Sequence, residues 1–137
     1  MARTNSLQDQ IEARIAKRDD AVFLTREFND LGDKRQVLRA LAKTVADGNL
    51  IRLGYGVYGR AIRSRLDGRP MLYSQDGFIG AAREALTKLG VAWEPTEWEK
   101  AYNEGRSTQV PVNPQLKVKG RFSRKLRDGA TELVLDR

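Results

Sequence analysis

The chain contains no cysteine and no histidine. The first absence excludes disulfides, thiolate zinc sites and cysteine nucleophiles. The second excludes Ser-His-Asp and Cys-His catalysis and any imidazole-ligated metal. Long apolar runs are missing too: no stretch approaches the roughly 20 residues that span a bilayer. The opening residues, MARTNSLQDQ, lack the apolar core of a secretory signal, so a cytoplasmic protein with no membrane partner is expected. No pair of acidic residues stands in a recognisable catalytic motif. These absences point away from an enzyme, and neither a metal nor a cofactor is expected.

What the chain has in excess is positive charge. Its 25 Lys and Arg against 18 Asp and Glu leave +7 at neutral pH, which favours a polyanionic partner. The excess is uneven: 11 basic and 8 acidic groups over residues 1–60, 7 and 7 over 61–110, and 7 and 3 over 111–137. A 40% hydrophobic content in 137 residues suits one ordinary globular domain or two very small ones.

Ser6-Leu7-Gln8-Asp9 has the form of a capping box, and Leu7, Ile11 and Ile15 follow at four-residue spacing, which predicts a helix over about 6–18. AVFL (21–24) reads as a short strand. Thr25 can cap a second, short helix through Leu31, with Phe28 and Leu31 facing inward. Gly32 ends it, and Asp33 caps a third helix from about Lys34 to Asp47 that stops at Gly48. LIRL (50–53) and VYGRA (57–61) then form a hairpin around Gly54-Tyr55-Gly56.

Helix, strand, helix, tight turn, helix, hairpin is the element order of a winged helix-turn-helix. The expected architecture is α+β: a winged helix-turn-helix DNA-binding domain over 1–61, a basic linker over 62–73, and a small α+β C-terminal domain over 74–137. GRAIRSRLDGRP (59–70), rich in arginine and broken by glycine and proline, reads as a linker or an extension of the wing. SQDGFIGAAREALTKLG (74–90) reads as an amphipathic helix, with Phe78, Ala82, Ala85, Leu86 and Leu89 on one face and Arg83, Glu84, Thr87 and Lys88 opposite. Pro95-Thr96 opens a short helix carrying Trp98, Ala101 and Tyr102 on one side. In the tail, Leu116, Val118 and Phe122 alternate with Lys117, Lys119 and Arg121, and Asp128-Gly129 is a hairpin signal. Trp93, Trp98 and Tyr102 read as core.

At 100° per residue, Val37, Leu38, Leu41 and Val45 of the third helix fall within one arc. Arg35, Arg39 and Lys43 lie nearly opposite, with Gln36 at the edge. Arginine bonds a guanine edge bidentately and lysine neutralises phosphate, so this face has the chemistry of groove reading; it is also the pattern of any solvated helix face. Gln36 suits adenine, and equally suits a capping box with Asp33. In the hairpin, Arg52, Tyr55 and Arg60 are candidates for phosphate or the minor groove, with Tyr55 equally an ordinary turn aromatic. The tail holds a second basic surface, six positive charges within eleven residues: Lys117, Lys119, Arg121, Arg124, Lys125 and Arg127. It reads as another phosphate-binding surface, as a docking face for an acidic protein, or as a strand edge kept from aggregating by its charges.

FLTREFNDLGDKRQVLRALAKTVADGNLIRLGYGVYGRA (23–61) resembles the N-terminal winged-helix segment of the AbiEi-like antitoxins of type IV, abortive-infection toxin–antitoxin systems. STQVPVNPQLKVKGRFSRKLR (107–127) is similar to the tail of short proteins grouped with that family. The likeness covers roughly 20–61 and 74–127. It implies a transcriptional repressor and antitoxin that binds double-stranded DNA at repeats in its own promoter, autoregulating its operon. It further implies a cognate nucleotidyltransferase-like toxin as partner. The chain is shorter than the two-part antitoxins, so the toxin-neutralising part is expected to be reduced or absent. The alternative from another class is a winged-helix interaction module that docks an acidic partner protein without specific DNA binding.

Overall fold

The Ser6 hydroxyl accepts the Asp9 amide at 3.1 Å while the Asp9 carboxylate accepts the Ser6 amide at 3.3 Å, and this reciprocal box starts α1 (Leu7–Lys17). The computed structural model describes residues 6–96, 100, 104–105, 115–119, 125–129 and 131–136. After β1 (Val22–Leu24) the chain makes one 3-10 turn, Thr25–Phe28, where the sequence predicts an α-helix reaching Leu31. Thr25 does not cap it. The Glu27 carboxylate takes the Leu24 amide at 2.7 Å, and the Thr25 hydroxyl has no hydrogen-bond partner among the described residues.

Asp33 accepts the Gln36 amide at 2.8 Å and starts α2 (Lys34–Ala46). β2 (Leu50–Gly54) and β3 (Val57–Arg63) then pair antiparallel around Tyr55-Gly56. Gly56 sits at φ +67°, a backbone angle that residues with a Cβ resist. β4 (Pro70–Leu72) pairs with the far end of β3, and the sheet runs β1-β3-β2 with β4 on β3. The expected linker over 62–73 is therefore a hairpin, with Ile62 opposite Met71 and Arg63 opposite Pro70. Its breakers do not interrupt pairing, because Gly68 lies in the loop and Pro70 opens a strand.

α3 (Gly77–Lys88) follows, then β5 (Trp93–Pro95), β6 (Gln115–Val118), β7 (Arg127–Asp128), β8 (Thr131–Glu132) and β9 (Val134–Asp136). β6 lies between antiparallel β5 and parallel β9, so it is a middle strand, not the charged edge that the sequence allowed. β7 and β8 form the hairpin signalled by Asp128-Gly129. Trp98, Ala101, Tyr102, Arg121, Phe122 and Arg124 lie outside the described residues.

Alternation along the first sheet separates two apolar clusters. Phe23, Leu50 and Tyr58 face Ile11 and Ile15 of α1 and Val37, Ala40 and Leu41 of α2, with Phe28 closing the cluster. Val22, Leu24, Leu53 and Val57 face the other way, onto Ala81, Ala82, Ala85 and Leu86 of α3 and onto Leu116, Val118, Leu126 and Leu133. Burying such an aliphatic or aromatic side chain is worth about 1.5–3 kcal/mol before entropy is charged. The second cluster joins the two parts expected as separate domains, so the first sheet has no face of its own left to solvent at its centre.

The outer edge of β1 is closed by side chains. The Glu84 carboxylate accepts the Val22 amide, Glu27 accepts the Leu24 amide, and the Lys88 ammonium donates to the Val22 carbonyl at 2.6 Å. Glu84 and Lys88 were expected on the solvent side of α3. Small alanines at 81, 82 and 85 let the helix lie close to β1, where unpaired strand groups attract the charges at its flank. The chain is thus an α+β protein, and no helix among the described residues is long and apolar enough to cross a membrane.

Candidate nucleic-acid interface

α2 buries Val37, Ala40, Leu41 and Thr44, and the Thr44 hydroxyl is satisfied by the Ala40 carbonyl at 2.8 Å. That choice of face turns Arg35, Gln36, Arg39 and Lys43 outward, all exposed. Leu38, expected in the core arc, is 37% exposed because it stands at the arc's rim, beside the hairpin. Two parallel strips result: Lys34, Leu38 and Ala42 toward the hairpin, and Arg35, Arg39 and Lys43 further out.

Between α2, the 3-10 turn and the β2–β3 hairpin runs an open cleft of about 700 Å³, lined among others by Arg26, Asn29, Lys34, Leu38, Arg52 and Tyr55. Tyr55 stands at the hairpin tip, 68% exposed. Arg52 is exposed, and its Nε reaches the Gly54 carbonyl at 3.4 Å. Guanidinium, ammonium and carboxamide groups beside a phenol give this surface donors for phosphate and base edges and a ring for stacking. The sequence reading missed Arg26, Asn29, Lys34 and Leu38. Ala42, a small residue at i+8 in the Lys34–Leu38 strip, was the available sign that something approaches that side.

Gln36 gives its amide to Asp33, and its carboxamide oxygen lies back over Gly32 instead of alongside Arg39. Arg60 is also elsewhere. Its guanidinium donates to the carbonyls of Asp20 (2.9 Å), Ile15 (2.9 Å) and Arg18, and lies 5.4 Å over the Phe23 ring. These carbonyls lie in and just beyond the last turn of α1, where a cation is favoured, and that of Ile15 also accepts the Arg18 amide. Arg60 thus clasps α1 to the sheet and does not join Arg52 and Tyr55 at the tip.

A charge cluster lies at the edge of β1, and of its members only Arg26 also lines the cleft. Lys88 Nζ reaches Asp20 Oδ2 at 2.6 Å and both Glu27 oxygens at 3.0 Å, and stands 5.2 Å over the Phe23 ring. Arg26 donates to the Lys88 carbonyl. Hydrogen bonds from Arg18, then from Lys88, hold the Asp20 carboxyl down at about 2. Arg14 grips Asp30 with two bonds of 2.6 and 2.8 Å and donates to the Glu27 carbonyl at 2.7 Å. The bidentate contact raises the Arg14 pKa and lowers that of Asp30.

The second basic surface is divided. Lys117 faces its cross-strand partner Glu94, with 3.8 Å between charged atoms, while Lys119 is exposed. Lys125 and Arg127, both exposed, belong to the segment that braces the β2–β3 hairpin. A Cβ on Gly54 would come within 2.6 Å of the Lys125 carbonyl oxygen and 3.0 Å of Leu126. Trp93 is half-buried against the second cluster and donates to the Thr87 hydroxyl at 2.9 Å. No family model, no curated protein and no solved structure matches the chain.

Proposed function

We propose that this protein is a DNA-binding transcriptional repressor whose N-terminal part is a winged helix. α2 enters the major groove, and the β2–β3 hairpin is the wing. The observation that carries the proposal is the exposed row Arg35, Arg39 and Lys43 on a helix followed directly by an antiparallel hairpin, in a sheet ordered β1-β3-β2. Arg35 and Arg39 read guanine edges, Lys43 and Arg52 hold phosphates, and Tyr55 meets the sugar–phosphate surface beside the wing. Lys125 and Arg127, in the segment packed against Gly54 beside the wing tip, extend the phosphate contact. Following the resemblance of residues 23–61, the repressor acts on its own promoter as a type IV antitoxin.

A second reading draws on the cleft, which sets Leu38, Ala42 and Tyr55 among cations and so suits an acidic segment of a partner protein. Titrating the protein with the DNA upstream of its own gene at several salt concentrations separates the two. The repressor predicts specific binding with log affinity falling steeply and linearly in log salt. Affinity no greater than for unrelated duplex of equal length excludes a specific repressor.

A further inference from the structure

The β3–β4 hairpin carries a loop that the folded core does not use. Ser64 to Arg69 is tied internally: the Ser64 amide donates to the Arg69 carbonyl at 2.9 Å, the Gly68 amide to the Ser64 carbonyl at 2.9 Å, and the Leu66 amide to the Ser64 hydroxyl at 3.1 Å. Asp67 is occupied in the same turn, accepting the Arg69 amide at 3.0 Å. On this ordered tip Leu66 is 98% exposed, between Arg65, also exposed, and Arg69, whose side chain is 85% exposed. Leu66 is thus held in water by a hydrogen-bonded turn and takes no part in either apolar cluster.

The hairpin's position supplies the rest. Arg63 donates to the Gly68 carbonyl at 3.0 Å and to the Asp47 carbonyl at 3.1 Å, fixing the arm to the end of α2 one turn beyond Lys43. The β2–β3 tip lies at the other end of α2, beside Lys34. Ile62, two residues beyond the Arg60 that reaches α1, and its partner Met71 stand half-exposed on the helix side of the sheet.

We propose that the β3–β4 hairpin is a second DNA-binding arm, in which Leu66 wedges between base steps in the minor groove while Arg65 and Arg69 hold the flanking phosphates. Charge selects this occupant over another protein surface: Arg65 and Arg69 border the apolar tip and outnumber Asp67, which lies 3.8 Å from the Arg69 guanidinium. Apolar wedges beside arginine are how proteins unstack and bend a duplex from the minor groove. The arm rests on the DNA-binding reading of α2 and adds deformation to it, with preference for flexible pyrimidine–purine steps.

The test uses the full-length protein and an A·T-rich duplex of about 30 base pairs with a central TA step and a dye at each end. Wild type should bring the dyes closer. Leu66→Ala, at so exposed a position, should keep the wild-type circular dichroism, bind several-fold more weakly and lose most of the bend. Arg65→Gln with Arg69→Gln should weaken binding about tenfold and lower the salt slope by about two contacts. A bend equal to wild type in Leu66→Ala overturns the arm alone, provided that Arg35→Ala with Arg39→Ala still lowers operator affinity to that for unrelated duplex. No binding by wild type to any duplex overturns the arm and the repressor together. An unchanged bend with a dimer that Leu66→Ala converts to monomer assigns the arm to self-association instead.

Discussion

Replacing Lys88 by methionine removes one ammonium and leaves most of the side chain's volume. In the folded protein that ammonium answers the carboxylates of Asp20 and Glu27, a strand carbonyl at Val22 and the face of Phe23. The charged side chains are each only about a fifth exposed, at 19, 21 and 20%. Breaking a buried pair by deleting one partner costs about 3–5 kcal/mol, and residual solvent access lowers this to about 2–4 kcal/mol. With a urea m-value of about 2 kcal/mol/M, the unfolding midpoint should fall by about 1–2 M. Urea titration followed by circular dichroism measures it. Adding Asp20→Asn and Glu27→Gln to Lys88→Met should recover part of the loss, because the stranded charges are then gone. An unchanged midpoint in Lys88→Met, or no recovery in the triple variant, would refute the cluster as the anchor of α3 to the edge of β1.

Arg60→Gln should destabilise the fold by about 2–3 kcal/mol, through the lost charged hydrogen bonds to the end of α1, while leaving the salt slope of DNA binding unchanged. Arg52→Gln should do the reverse, lowering the slope by about one contact at wild-type stability. Asp20, held at about 2, contributes stability that is complete above the ordinary carboxylate value near 4 and lost as pH falls toward 2. Partial exposure limits it to about 1–2 kcal/mol, so Asp20→Asn should flatten the acid limb of the stability curve. Gly54→Ala should cost about 1–3 kcal/mol by driving a Cβ into the Lys125 carbonyl, which thermal unfolding would register.

Local signals in the sequence were legible where one segment decides its own structure. The Ser6–Asp9 box, the Asp33 cap, the Tyr55-Gly56 corner and the Asp128-Gly129 hairpin all form as their residues require. The outward row Arg35, Arg39 and Lys43 was legible for the same reason, since helical periodicity assigns faces without knowing the neighbours. Long-range partners decided the rest. Glu84 and Lys88 look like surface charges until β1, more than sixty residues earlier, presents an open edge. Arg60 looks like a wing cation until the end of α1 offers three carbonyls. Residues 62–73 look like a linker because glycine and proline signals do not say whether they fall between strands or within them. Leu38 sits at the rim of its arc, where the approach of the hairpin, not periodicity, sets exposure.

The proposed repressor depends on the outer row of α2 reading DNA. Its most direct test is the affinity of the Arg35→Ala, Arg39→Ala double variant for the upstream operator against unrelated duplex. Each arginine is expected to contribute about 1–3 kcal/mol of base discrimination. The double variant should therefore fall to the affinity of wild type for unrelated DNA, with its circular dichroism intact. Operator preference equal to wild type in that folded double variant would contradict the account.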